Sequence, residues 1–151
     1  MSSTFELAGA IKLDDVPDVR RFVEKVHKRL VHDRDDVSRV TMAAHELLEN
    51  AVKFSADGSA SLHIAIDNNK VSITTRNRAR PTDVADLRRI AEQMGKADDP
   101  MVFYLSQMQR APESRGGLGL GRVAAEGEME VRFKLDGEYV EISARSSLQL
   151  S

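Results

Sequence analysis

The chain has 151 residues, 41% of them hydrophobic and 30% charged, enough for one sizeable core and a soluble exterior. Its 22 basic and 24 acidic side chains leave a formal net charge of −2, so no broad positive excess exists to drive binding to nucleic acid. Cysteine is absent, which excludes disulfides, thiolate nucleophiles and cysteine zinc sites, and no stretch approaches the roughly 20 apolar residues of a membrane helix. Residues 1–6 lack the basic start and apolar run of a signal peptide, so a cytoplasmic location is expected.

With no internal repeat, low-complexity tract or linker-like segment, residues 1–151 read as one domain. Residues 3–8 are short and mixed, as in an edge strand. From Asp14 the pattern turns helical, with Asp14 or Asp15 as cap and Pro17 tolerated in the first turn. Val19, Phe22, Val23, Val26 and Leu30 form its apolar stripe. A second helix is predicted from about Asp36 to Phe54, with Val37, Val40, Ala44, Leu47, Leu48 and Ala51 on its buried face. After Asp57-Gly58 the period changes to two. Leu62, Ile64 and Ile66 alternate with polar residues, and Asp67-Asn68-Asn69 turns the chain into Val71, Ile73 and Thr75. Residues 82–94 and 99–109 read as two helices split by Gly95, the second capped near Asp98 or Asp99. A glycine cluster over 116–121 leads into a short helix ending near Glu126. Met129–Leu135 and Tyr139–Ala144 then form a hairpin that turns at Asp136-Gly137. This order predicts an α+β fold, a two-layer sandwich whose mixed, mainly antiparallel sheet is covered on one face by helices.

Two segments could carry chemistry. Glu46 and Asn50 stand four residues apart, hence on one face of the second helix. A carboxylate there can orient or deprotonate a hydroxyl or water, and a carboxamide oxygen one turn along can bind Mg²⁺. The plain alternative is a solvent-facing polar strip in which Glu49 and Lys53 form a weak ion pair. The second segment is Arg115-Gly116-Gly117-Leu118-Gly119-Leu120-Gly121. Its glycines let the backbone approach a phosphate, which the amides at a following helix N-terminus can hold. The alternative is a flexible loop, although Leu118 and Leu120 are apolar anchors that such a loop does not need. No Gly-Lys-Ser/Thr follows, so this is not a Walker loop.

Together, and in this order, the segments resemble the GHKL (Bergerat-fold) ATPase/kinase superfamily. Residues 45–55, His-Glu-Leu-Leu-Glu-Asn-Ala-Val-Lys-Phe-Ser, are similar to its N box. Gly117-Leu118-Gly119-Leu120, followed by Gly121 to Glu126, is similar to its second glycine box. The likeness spans nearly the whole chain and is greatest to the short stand-alone anti-sigma-factor serine kinases, whose first helix carries a segment like Arg20-Arg21-Phe22. The resemblance implies a histidine-kinase-like ATPase fold that binds ATP and Mg²⁺. Asn50 would hold the metal, Glu46 would be the catalytic base, and Lys53 and Arg115 would contact the nucleotide. The amides of Gly117, Leu118, Gly119, Leu120 and Gly121 would cradle phosphates beneath a lid of residues 96–115. The family's Asp-x-Gly-x-Gly motif, whose Asp reads adenine, is missing: its place holds Thr74-Thr75-Arg76-Asn77-Arg78-Ala79-Arg80-Pro81. Asn77 is the substitute, its carbonyl oxygen able to accept the same bond.

Other readings have less behind them. His45-Glu46-x-x-Glu49 imitates a zinc-protease helix but lacks the second histidine. His27, His32 and His63 read as scattered surface residues. Arg76, Arg78 and Arg80 read as a solvated loop, or else as an anion-binding edge. The function implied by the resemblance is partner-switching regulation. An ATP-binding protein would phosphorylate a serine on, or sequester, a small partner such as an anti-anti-sigma (STAS-like) domain or a sigma factor, and a homodimer is compatible with this. The alternative is a non-catalytic interaction module that keeps the fold and has lost or altered nucleotide binding.

Overall fold

The computed structural model describes residues 2–109 and 116–149. Its elements are β1 (Ser2–Ala10), a 3-10 turn (Leu13–Asp15), α1 (Val16–Leu30), α2 (Arg34–Lys53), β2 (Ser59–Asp67) and β3 (Lys70–Arg78). There follow α3 (Pro81–Lys96), α4 (Pro100–Met108), α5 (Gly117–Ala125), β4 (Glu130–Asp136) and β5 (Tyr139–Ser147). The strands form one five-stranded sheet in the order β1-β2-β3-β5-β4, with every neighbouring pair antiparallel, in line with the expected mainly antiparallel sheet. The α+β two-layer reading holds. Leu62, Ile64, Ile66, Val71, Ile73, Val140, Ile142 and Ala144 alternate onto the buried face, beneath Val40, Ala44, Leu47, Leu48, Ala51 and Phe54. Such alternation is what covering one face of an antiparallel sheet requires.

Helix α2 lies on β2 and β3, with α1 on one flank and α5 on the other, and α4 packs on α5. Asp33 caps α2 by accepting the Asp36 amide at 3.0 Å, so the helix starts two residues before the expected Asp36. The β2–β3 turn places both Asn68 and Asn69 at positive φ, which asparagine tolerates and a two-residue hairpin needs. Gly95 does not split the third helix. It lies within α3, and the break comes at extended Ala97, ahead of Asp99, whose carboxylate caps α4 at Met101. Arg76 and Arg78 are strand residues, because β3 continues past Thr75. Arg76 stacks over the Tyr139 ring at 4.4 Å, and Arg78 pairs with Glu138 at 3.0 Å.

Polar groups are also buried with the core, Asp36 and His27 among them. Asp36 accepts from Arg39 Nη1 at 2.8 Å and from the Gln149 amide, while Arg39 also donates from Nε to the Gly127 carbonyl at 2.8 Å and from Nη2 to Ser146 Oγ. One side chain on α2 thus ties down the α5–β4 turn and the end of β5. Arg39→Ala leaves the Asp36 carboxylate buried and without its cation, and is expected to cost about 3 kcal/mol in urea unfolding. A loss below about 1 kcal/mol would mean that the pair acts as an ordinary surface bridge.

His27, expected at the surface, is 1% exposed. Its Nδ1 donates to the Val23 carbonyl at 2.7 Å, its ring lies 6.1 Å from that of Phe5, and its Nε2 is buried without a partner among the described residues. Burial holds its pKa below the ordinary imidazole value, against the smaller opposing effect of the Val23 bond. As pH falls below about 6.5 the unfolded chain gains a proton that the folded chain refuses, so stability falls with it. The urea midpoint is expected to drop between pH 7 and pH 5, and to drop less in His27→Leu. Equal slopes for the two proteins would rule this out.

Candidate functional site

The C-terminal half of α2 presents Glu46, Glu49, Asn50 and Lys53, which its geometry aligns on one face. Opposite stands α5, preceded by Gly116 at φ 84°, a conformation that glycine adopts without strain. Between them opens a cavity of about 680 Å³ lined by those four α2 residues, by Gly116, Leu118, Gly119, Arg122 and Glu126, and by Tyr104 of α4. Its size lies within the range of small-molecule sites.

The glycines do not form the expected loop. The helix begins at Gly117 itself, so Gly117, Gly119 and Gly121 are helical. Glycine costs about 1 kcal/mol within a helix, and close contacts account for its use here. A Cβ on Gly117 would lie 2.1 Å from Gln107 Oε1. One on Gly119 would lie 2.4 Å from Glu46 Oε2, and one on Gly121 3.2 Å from both the Phe103 ring and Tyr104 Cα. Three small residues therefore let α5 approach α2 and α4 at once. Leu120 is buried in the core, whereas Leu118 is half exposed at the mouth of the cavity.

Asn50 is only 5% exposed and donates from Nδ2 to the Gly116 carbonyl at 3.4 Å, which sets its carboxamide beside the α5 N-terminus. Lys53 donates to Glu49 at 2.9 Å, and Glu49 also meets His45 Nε2 at 3.2 Å. Glu46 lies 3.4 Å from Arg122 Nη1, and Arg122 Nε donates to Glu126 at 2.8 Å. The Glu126 bond foremost raises the pKa of Arg122. Tyr104 donates to Glu126 at 3.4 Å, and burial chiefly pushes its phenol up, so it stays a donor at neutral pH.

Glu46, Asn50, Lys53, Leu118 and Gly119 thus come together. Gly117, Leu120 and Gly121 belong to the same helix but do not line the cavity, and Arg115 lies outside the described residues, as does part of the expected lid. Asn77 is not brought to the site. It is 6% exposed on β3, donates to the Arg78 carbonyl at 3.1 Å, and lines a separate shallow depression with Arg76 and Tyr139. Tyr104, Arg122 and Glu126 gained no role from the sequence. The four-residue spacing of Arg122 and Glu126 was the available signal for two of them, and Tyr104 offered none. Among the described residues, no group of three or more His, Asp or Glu side chains could hold a metal by itself.

The glycine contacts can be tested. Gly121→Ala presses on the α4 backbone and is expected to destabilise by about 1–3 kcal/mol. Gly119→Ala meets only the mobile end of Glu46, and its Tm is expected to stay close to that of the unsubstituted chain. Equal losses in thermal unfolding would argue against contact as the reason for glycine.

No family model matches the sequence, and no curated protein matches it. Among solved structures, a chain in the crystal structure of the SiaB-SiaC complex from Pseudomonas aeruginosa is similar, with a TM-score of 0.69 over 95% of this chain and 89% of that one. The identity is 14%, so the likeness establishes a shared fold.

Proposed function

We propose that this chain is a regulatory protein that binds a magnesium nucleotide by its phosphates between α2 and α5 and controls a partner protein. The observation that carries this reading is one cavity holding Glu46, Asn50 and Lys53 against the N-terminus of α5. The amides of the first helical turn have no intrahelical acceptor, and Gly116 supplies no side-chain cap, so they suit a phosphate. Three carboxylates face two cations across the lining, which disfavours a bare polyanion. A divalent cation fits this donor set. Magnesium commonly takes one or two side-chain oxygens and draws its other ligands from water and phosphate, and Asn50 with Glu46 or Glu49 supplies such oxygens.

Bound Mg-ATP would supply a transferable phosphoryl group. In the chain's own contribution, Asn50 would hold the metal and Glu46 would orient the acceptor hydroxyl. Arg122 neutralises charge next to Glu46. The acceptor in this reading is a serine of a small partner protein, and sequestration of a partner such as a sigma factor uses the same bound state. That the structural neighbour comes from a two-protein complex supports a protein partner.

A non-catalytic interaction module is the second reading, and a specific observation favours it. Asn77, the residue expected to read adenine, does not line the cavity. Calorimetry with ATP, with and without Mg²⁺, separates the two. Metal-dependent binding that falls at least about tenfold in Asn50→Ala, through loss of one charge-assisted contact, is the expected result. No binding at millimolar ATP in either condition would leave the interaction module.

A further inference from the structure

A second cavity, of about 610 Å³, opens between α1 and the N-terminal half of α2. Arg20, Glu24 and Lys28 follow at four-residue spacing along α1, so they stand in a row about 12 Å long. Arg34, Ser38 and Thr41 of α2 form the opposite wall, and His32 closes one end. The lining thus carries three permanent cations and one carboxylate, in a chain whose formal net charge is −2. Glu24 is already paired with Lys28 at 3.0 Å, and among the described residues Arg20 and Arg34 have no ion pair.

We propose that this groove is a second ligand site, taking a small polyanion of the oligophosphate class. One phosphate would reach only part of a lining whose cations spread along two helices, whereas several linked anionic groups can meet Arg20, Lys28 and Arg34 together. The site uses α2 residues 34–41, apart from residues 46–53 of the other cavity, and it does not depend on the nucleotide reading.

Inorganic tripolyphosphate is the probe, followed by calorimetry and by backbone amide shifts. Saturable binding is expected, with the largest shifts within residues 20–41. Arg20→Gln/Arg34→Gln changes two surface side chains and should weaken binding about tenfold or more. Asn50→Ala should bind as the unsubstituted chain does. Absence of saturable binding at millimolar probe, shifts centred on residues 46–53 and 116–122, or full affinity in the Arg20/Arg34 variant overturns the proposal.

Discussion

The burial of α2 on the sheet is the contact to which everything else is registered. Leu47, Leu48, Val40, Ala44 and Ala51 leave water against the inward side chains of β2 and β3. Each large side chain so buried contributes about 1.5–3 kcal/mol of transfer free energy. Because the helix has a fixed pitch, seating that stripe also fixes where its polar residues point. Glu46, Glu49, Asn50 and Lys53 are left facing α5, and Arg34, Ser38 and Thr41 are left facing α1. Neither cavity can shift relative to the core without unseating the helix. The Arg39 tether adds to this by tying the N-terminal half of the same helix to the end of β5.

The second constraint is how near α5 comes to that helix. A side chain at 121 would press on the α4 backbone and one at 117 on buried Gln107, holding α5 off, whereas one at 119 would displace only the end of Glu46. The loss of helix propensity at three glycines is therefore offset by packing of Val123 and Leu120 into the core and of α4 onto α5. The same glycines serve stability and site together, so a helix N-terminus with free amides is delivered to within hydrogen-bond reach of Asn50.

The elements were largely legible because their periods are strong. The two hairpins, with turns at Asn68-Asn69 and at Gly137-Glu138 (one residue past the expected Asp136-Gly137), and the long amphipathic α2 all follow from local pattern. What was not legible depends on tertiary contact. Glycine specifies small size and backbone freedom alike, so the 116–121 run reads equally as a loop or as a tightly packed helix. His27 carries no sequence mark of burial beyond its place one turn after Val23, and its burial reflects the seat that Phe5 and α1 make for it. Asn77 illustrates the opposite error. Its position after a hairpin strand was right only if the strand ended at Thr75, and two more ladder positions turn it onto the buried face of β3. Arg122 was in view within the glycine segment but lacked a role until the fold brought Glu46 beside it.

The charge of the two cavities sets them apart physically. In the α2–α5 cavity the carboxylates of Glu46, Glu49 and Glu126 already engage Arg122 and Lys53, so an entering anion must compete with existing ion pairs in a partly desolvated space. Coulomb repulsion between an added phosphate and those carboxylates is substantial at such short range. A divalent cation would reverse the sign of that interaction, which is why the nucleotide proposed there is a metal complex. In the α1–α2 groove the balance is already positive, and Arg20 and Arg34 are not engaged by carboxylates among the described residues. A bare anion can enter that groove without carrying its own counterion. One helix thus separates two cavities of opposite charge balance, the proposed metal-nucleotide site and the proposed polyanion site, because acidic residues crowd its C-terminal half and basic residues line the opening of its N-terminal half.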